Sequence, residues 1–254
     1  MSLEQRKTVL ITGASRGIGS EIARRFALAG YRVALNYNTS EQQARELADL
    51  LERQLGVCAG ERVLPVRADV ADRQQVERMF DEAEVHFGGV DVLVNNAGIA
   101  QQKLFTDLTD DDWRRMFAVH VDGAFYCSRR ALQGMIQRHS GKIINVSSMW
   151  GQIGGSCEVH YSAAKAAVIG MTRALAKEVG PSGIQVNCVA PGVIDTEMNG
   201  ALSAETLEQL CEETPLGMLG TCRDIAEAVF FLADSRSDFI TGQVLGVNGG
   251  MVIG

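Results

Sequence analysis

The stretch Thr12-Gly13-Ala14-Ser15-Arg16-Gly17-Ile18-Gly19 directly follows the apolar run Thr8–Ile11 and leads into a helical pattern that begins near Glu21. Glycines at a strand-to-helix turn let the backbone approach a pyrophosphate, and the helix N-terminus behind them supplies unpaired N–H donors. Such a loop is expected to bind a dinucleotide. Its spacing is G-x-x-x-G-x-G, however, and glycines also serve plain tight turns. Where an acid would hold an adenosine ribose, about 20 residues on, the chain reads Asn36-Tyr37-Asn38-Thr39-Ser40. That uncharged, donor-rich stretch, with Arg16 placed to meet a 2′-phosphate, points to NADP(H) over NAD(H); the plain alternative for Arg16 is a solvated loop cation. A second group is Tyr161-x-x-x-Lys165. Four residues apart on a helix places both side chains on one face. A free tyrosine titrates near ~10, so a neighbouring cation is what brings it toward proton transfer near neutrality. The same spacing also occurs on many helices as a solvated pair.

Holding these groups in register needs a sizeable core, and 254 residues that are 46% apolar, 22% charged and 6% aromatic supply one. A disordered or collagen-like chain is excluded. Lys and Arg number 24 against 31 Asp and Glu, a net charge of −7, with no concentrated basic footprint, so nucleic acid is not expected as a partner. The six cysteines form no C-x-x-C pair, which argues against a metal site or a disulfide framework and for reduced thiols in cytoplasm. The first apolar run is too short for a signal peptide or a membrane span, and nothing later reaches membrane length.

Strand-length apolar runs recur at Thr8–Ile11, Arg32–Leu35, Arg62–Pro65, Asp91–Val94, Lys142–Val146, Gln185–Val189 and Gln243–Val247. Between them lie helical patterns such as Ile22, Phe26 and Ala29, or Val76, Phe80, Ala83 and Phe87. Alternation of this kind implies right-handed parallel crossovers and a doubly wound α/β sheet covered on both faces. No linker, low-complexity tract or repeat divides residues 1–254, which read as one domain.

Read together, Thr12–Gly19, Asn95-Asn96-Ala97-Gly98, Ser147-Ser148, Tyr161-x-x-x-Lys165 and Pro191-Gly192 resemble the short-chain dehydrogenase/reductase family. The resemblance spans essentially the whole chain. It implies a single-domain Rossmann fold with seven parallel strands, a nicotinamide cofactor and a homotetramer. Carried over, Tyr161 is the general acid that protonates a carbonyl oxygen, Lys165 its partner and a ligand of the nicotinamide ribose, and Ser148 the holder of the substrate oxygen. The cofactor is implied to lie along Gly13, Ser15, Arg16, Gly17, Ile18, Gly19 and Asn38, with Asp69 and Val70 at the adenine. Asn95, Ala97 and Gly98 then follow the ribose, Pro191, Gly192 and Ile194 flank the carboxamide, and Thr196 reaches the nicotinamide. In plainer readings Asn95 caps a turn and Pro191-Gly192 ends a strand.

One position departs from the family pattern. Where relatives carry an asparagine that holds a relay water, this chain has His120. A neutral imidazole can hold the same water, and titration near ~6.5 adds a pH dependence; equally, His120 can be satisfied by backbone with no relay role.

Two stretches are expected to choose the substrate, Met149–His160, with Trp150 and Glu158, and the segment running helical from beyond Gly192 through Met198 to Glu212. Most of the chain is similar to 3-oxoacyl-acyl-carrier-protein reductases of bacterial fatty-acid synthesis, which implies a carrier-protein-bound or small-molecule ketone. Docking an acidic carrier at net −7 needs local cations, for which Arg129-Arg130 and Arg138 are candidates. The stretch Trp150–Tyr161 also resembles reductases of a 5-aminopentanone modification on elongation factor P, whose amine Glu158 suits. A non-catalytic NADP-binding scaffold is a further alternative, for which loss of Tyr161 or Lys165 is the expected mark; both are present. Relatives assemble through the region Asp110–Arg138 and the apolar end Val244–Ile253.

Overall fold

The computed structural model describes residues 6–196 and 204–253. Strands β1 (Thr8–Ile11), β2 (Arg32–Tyr37), β3 (Val63–Arg67), β4 (Val92–Asn95), β5 (Gly141–Val146), β6 (Ile184–Pro191) and β7 (Val244–Val247) alternate with helices along the chain. The helices are α1 (Gly17–Leu28), α2 (Glu41–Leu55), α3 (Arg73–Phe87), α4 (Asp110–Phe117), α5 (Gly123–Arg138), α6 (Trp150–Ile153), α7 (Val159–Val179), α8 (Ala204–Glu213) and α9 (Cys222–Ala233). All seven strands pair in parallel in the order β3-β2-β1-β4-β5-β6-β7. The order reverses between β1 and β4, which opens a crevice at the strands' C-terminal ends.

Alternate residues of the inner strands feed two separate cores. Val9 and Ile11 of β1 pack with Ile22 and Phe26 of α1 and Val229 of α9 on one face. Leu10, between them, packs on the other face with Val76 and Phe80 of α3 and Met135 of α5. Burial on both faces is why the strands read as unbroken apolar runs. Pro65 lacks an N–H and sits on β3, an edge strand, where the ladder tolerates it.

Several boundaries differ from the sequence reading. Strand β2 runs on to Tyr37 and β6 to Pro191, because Tyr37 pairs with Arg67 and Pro191 with Val247; backbone pairing carries these strands past their apolar runs. The region Asp110–Arg138 is two helices joined by a π-helical turn at Ala118–Asp122, an irregularity that recurs at functional sites. In the expected second substrate segment, helix α8 covers Ala204–Glu213, and Met198 lies outside the described residues.

Candidate active site

Helix α1 starts at Gly17, earlier than the apolar pattern implied, and its cap residue Arg16 makes no side-chain capping bond. The N–H groups of its first turn therefore lack a capping side chain. Gly13 has φ +62, and a Cβ there would lie 2.9 Å from the Ala97 Cα. A side chain is excluded on both counts. The loop is pinned by polar residues at strand ends to which the sequence reading gave no pinning role. Thr12 Oγ1 accepts from the Asn96 and Ala97 amides at 3.0 Å each. Asn96 Nδ2 donates to the Thr12 and Gly13 carbonyls at 3.0 Å. Asn36 Oδ1 accepts from Gly13 N at 3.1 Å while its Nδ2 donates to Ala68 O at 3.1 Å. Their signal in the sequence is a polar residue ending an apolar run.

A cleft of about 740 Å³ runs from this loop and Asn36–Ser40, past Asp69, Val70, Ala97 and Gly98, to Ser148, Tyr161 and Lys165, and on to Pro191, Gly192, Ile194 and Thr196. It is large enough for a sizeable ligand. Its length, its glycine cradle and the uncapped helix start fit an extended dinucleotide. Trp150, Glu158 and His120 also line it. Among the candidate residues Asn95 is the exception. Its Nδ2 donates to Asn145 Oδ1 at 2.8 Å and Ser128 Oγ at 3.0 Å, bracing β4 against β5 and α5, and it faces a separate inner cavity of about 10 Å³. Asn96 lines the main cleft instead. Asp69 lines it too, with one carboxylate oxygen on Ala71 N and the other on Arg115.

Ser148 stands close enough to the Tyr161 hydroxyl to lower its pKa, and Lys165 Nζ lies 5.5 Å from the Tyr161 ring centre. Lys165 Nζ donates to the Val146 carbonyl at 2.8 Å. A Cβ on Gly151 would sit 2.8 Å from the Lys165 carbonyl carbon and 2.8 Å from Ser147 Oγ, so its absence lets α6 lie against α7 at this point. Ser147 Oγ donates to Lys165 O at 2.9 Å and joins β5 to the same turn. Burial pushes the Lys165 ammonium down to about 8. Burial also pushes the Tyr161 phenol up to about 12, with Ser148 opposing it in part. Desolvation of the phenolate is the largest cause of that rise, so Tyr161 holds its proton at neutral pH.

His120 is buried in the π turn, edge-on to Tyr161 with ring centres 5.4 Å apart. Its Nε2 lies 2.8 Å from the Ile99 carbonyl oxygen. Burial, with Lys165 adding to it, pushes the imidazole down to about 3. The pH dependence expected near neutrality is therefore absent, because the ring stays neutral there. Glu158 is half-buried, accepts from Gln102 Nε2 at 3.3 Å, and is raised from its ordinary value by burial. The expected docking cation Arg130 is already occupied by Glu77, Asp81 and Glu84 at 3.2, 2.9 and 2.7 Å. Arg138 donates to the Val90 carbonyl, and Arg129 lies over the Phe125 ring. Among the described residues no cluster of three or more His, Cys, Asp or Glu can hold a metal ion, and no helix is long and apolar enough to cross a membrane.

Comparison with known proteins gives concordant likenesses. A family model described as enoyl-(acyl carrier protein) reductase matches residues 13–252. The 3-oxoacyl-(acyl-carrier-protein) reductase FabG of Staphylococcus aureus (strain Mu50) is 41% identical over 249 residues, 98% of this chain and 99% of that protein. An uncharacterized oxidoreductase of Bacillus subtilis (strain 168), YmfI, is also 41% identical, over 96% of this chain and 98% of its own. A crystal structure of a putative gluconate dehydrogenase from Agrobacterium tumefaciens superimposes with a TM-score of 0.91 at 33% identity, covering 96% of this chain and 95% of that one.

Proposed function

Because this chain belongs to the short-chain dehydrogenase/reductase family and is thus an oxidoreductase acting on CH–OH and ketone groups, we propose that it is an NADPH-dependent reductase of the ketone in 3-oxoacyl thioesters. The observation that carries this reading is one continuous cleft. It begins at a β2 exit without a carboxylate, beside Arg16, and ends on Ser148, Tyr161 and Lys165. Arg16 has no carboxylate within ion-pair distance among the described residues, which suits a 2′-phosphate, as the missing acid of β2 does. Asn38, Thr39 and Ser40 add donors beside it.

A bound nicotinamide supplies the hydride. The chain's own groups handle the oxygen. Ser148 hydrogen-bonds the carbonyl oxygen next to Tyr161, and Tyr161 delivers its proton there as negative charge develops. The Lys165 cation stabilises the phenolate left behind and binds the nicotinamide ribose. By likeness to the 3-oxoacyl-(acyl-carrier-protein) reductases the substrate is carried on an acyl carrier protein, the assembly is a homotetramer, and the setting is the cytoplasm.

NADPH oxidation by the purified protein with acetoacetyl-CoA, with NADH as control and Tyr161→Phe as blank, tests this reading. Turnover that prefers NADPH and needs Tyr161 is expected; tight NADPH binding without turnover overturns it. A specific observation favours a second reading. Glu158, half-buried in the same cleft near Tyr161, suits a ketone that carries an amine, such as a 5-aminopentanone group on elongation factor P. The occupied Arg130 also weakens docking of an acidic carrier.

A further inference from the structure

The loop from Gly98 to Lys103 forms one side of the cleft, and alternate residues of it are anchored from different elements. His120, in the π turn, holds the Ile99 backbone at 2.8 Å. His160, fully buried and one residue before Tyr161, has its Nε2 2.9 Å from Gln101 Oε1. Gln101 Nε2 donates to Asp112 Oδ1 at 2.8 Å. Lys103 Nζ pairs with the other Asp112 oxygen at 2.7 Å, and Lys103 N donates to the Cys157 carbonyl at 2.8 Å. Between the last two anchors stands Gln102, which donates to Glu158.

The polarity of the chain of bonds is determined by its far end. A carboxylate only accepts, so the Gln101 amide nitrogen faces Asp112 and its oxygen faces His160. The His160 proton therefore sits on Nε2. Its Nδ1 is left buried without a partner, a cost borne for the sake of the Nε2 bond. Asp112 is itself fixed, as the third helical residue of the α4 capping box with Thr109. A rigid helix start thus holds Gln101 at one end and the turn that carries Tyr161 holds it at the other.

We propose that His160 and Gln101 are positioning residues for substrate: their hydrogen bond, oriented by Asp112, locks the Gly98–Lys103 loop so that Gln102 and Glu158 form a preset polar wall beside Tyr161. The proposal rests on the cleft being the reductase site. It makes the loop a determinant of KM for the ketone, while the proton-donating step belongs to Tyr161. A preset wall removes the ordering cost that a mobile loop imposes on binding.

The test uses the full chain with NADPH and acetoacetyl-CoA. Gln101→Leu keeps volume and removes both bonds of the link. It is expected to raise KM about tenfold, the worth of one to two lost hydrogen bonds, with kcat and NADPH affinity (read by cofactor fluorescence) near wild type. His160→Leu behaves alike, whereas His160→Gln, whose amide nitrogen reaches the Nε2 position, restores KM. Hydrogen exchange of the 99–103 amides is expected to quicken in Gln101→Leu while that of β4 does not. A Gln101→Leu protein with wild-type KM, or with wild-type exchange in the loop, overturns the proposal, as does a fall in kcat at unchanged KM. A wild-type protein that reduces no ketone sinks the functional reading instead, and the exchange measurement still decides whether the loop is locked this way.

Discussion

An unburied lysine holds its proton to about 10.5, and burial brings Lys165 down to about 8. Between those two values the unfolded chain binds the proton that the folded chain has lost, so this residue's contribution makes stability rise with pH there. At neutral pH its burial as a cation costs roughly 3 kcal/mol by the same linkage. Lys165→Met removes that cost and orphans the Val146 carbonyl, leaving a net gain of about 1–2 kcal/mol. The variant should melt higher than wild type at pH 7 and have no reductase activity; a lower melting temperature contradicts the linkage. The pH–rate profile follows from the same shift. Ketone reduction, as kcat/KM, should be level up to about pH 7 and decline above about 8, where Lys165 loses its charge and no longer supports the phenolate. His120, at about 3, titrates far outside that window, so His120→Asn should keep turnover and the shape of the profile. A new ionisation near neutrality in that variant contradicts a neutral His120, and loss of reduction with the fold intact would make His120 a specialised residue of this enzyme and not a tolerated variant.

Between elements, the glycine loop works because β1, β2 and β4 end in polar side chains that tie its backbone down. Gly13 combines a left-handed φ of +62 with backbone 2.9 Å from where a Cβ would go. Gly13→Ala should therefore cost about 1–3 kcal/mol of stability and weaken NADPH binding, measured by thermal melts and cofactor fluorescence on the same sample. Glu52 shows a similar tie away from the cleft. Its buried carboxylate on α2 accepts from the amides of Gly60, Arg62 and Val63 at 2.8, 3.1 and 3.2 Å, joining α2 to the start of β3. Glu52→Gln trades an acceptor for a donor against three N–H groups and should lower the melting temperature without altering KM.

Over the whole molecule the net charge is −7, so docking an acidic carrier needs a local positive patch, and Arg130 is held by three carboxylates. Arg130→Ala should lower thermal stability, by leaving Glu77, Asp81 and Glu84 to repel one another, and leave KM for a carrier-bound ketone unchanged. A raised KM with unchanged stability would instead make Arg130 a docking residue. Large apolar side chains are exposed at Trp113, Phe125 and Ile136 and again at Leu245 and Ile253. These fall in the two regions proposed to join subunits, and burying such faces is what oligomers do. Light scattering at micromolar concentration should give four times the monomer mass; a monomer would remove the tetramer from the proposal.

Sequence by itself determined the sheet, because parallel strands buried on both faces must be continuous apolar runs separated by helical periods, and Thr8–Ile11 through Gln185–Val189 have that form. The loop Thr12–Gly19 and the pair Tyr161 and Lys165 were legible for a like reason, since their chemistry depends on spacing within one turn or one helix. What only the tertiary structure decided depends on contacts between residues far apart in the chain. Asn95 turned away to Asn145 and Asn96 faced the cleft, a difference set by which side of the β4 exit each occupies. Burial raised Tyr161 and took His120 out of the neutral range, because desolvation is a property of everything packed around a group. His160, Gln101 and Asp112 come from three separate stretches, and no local pattern announces a hydrogen bond that exists only after the sheet has brought α4, α7 and the loop after β4 to one place.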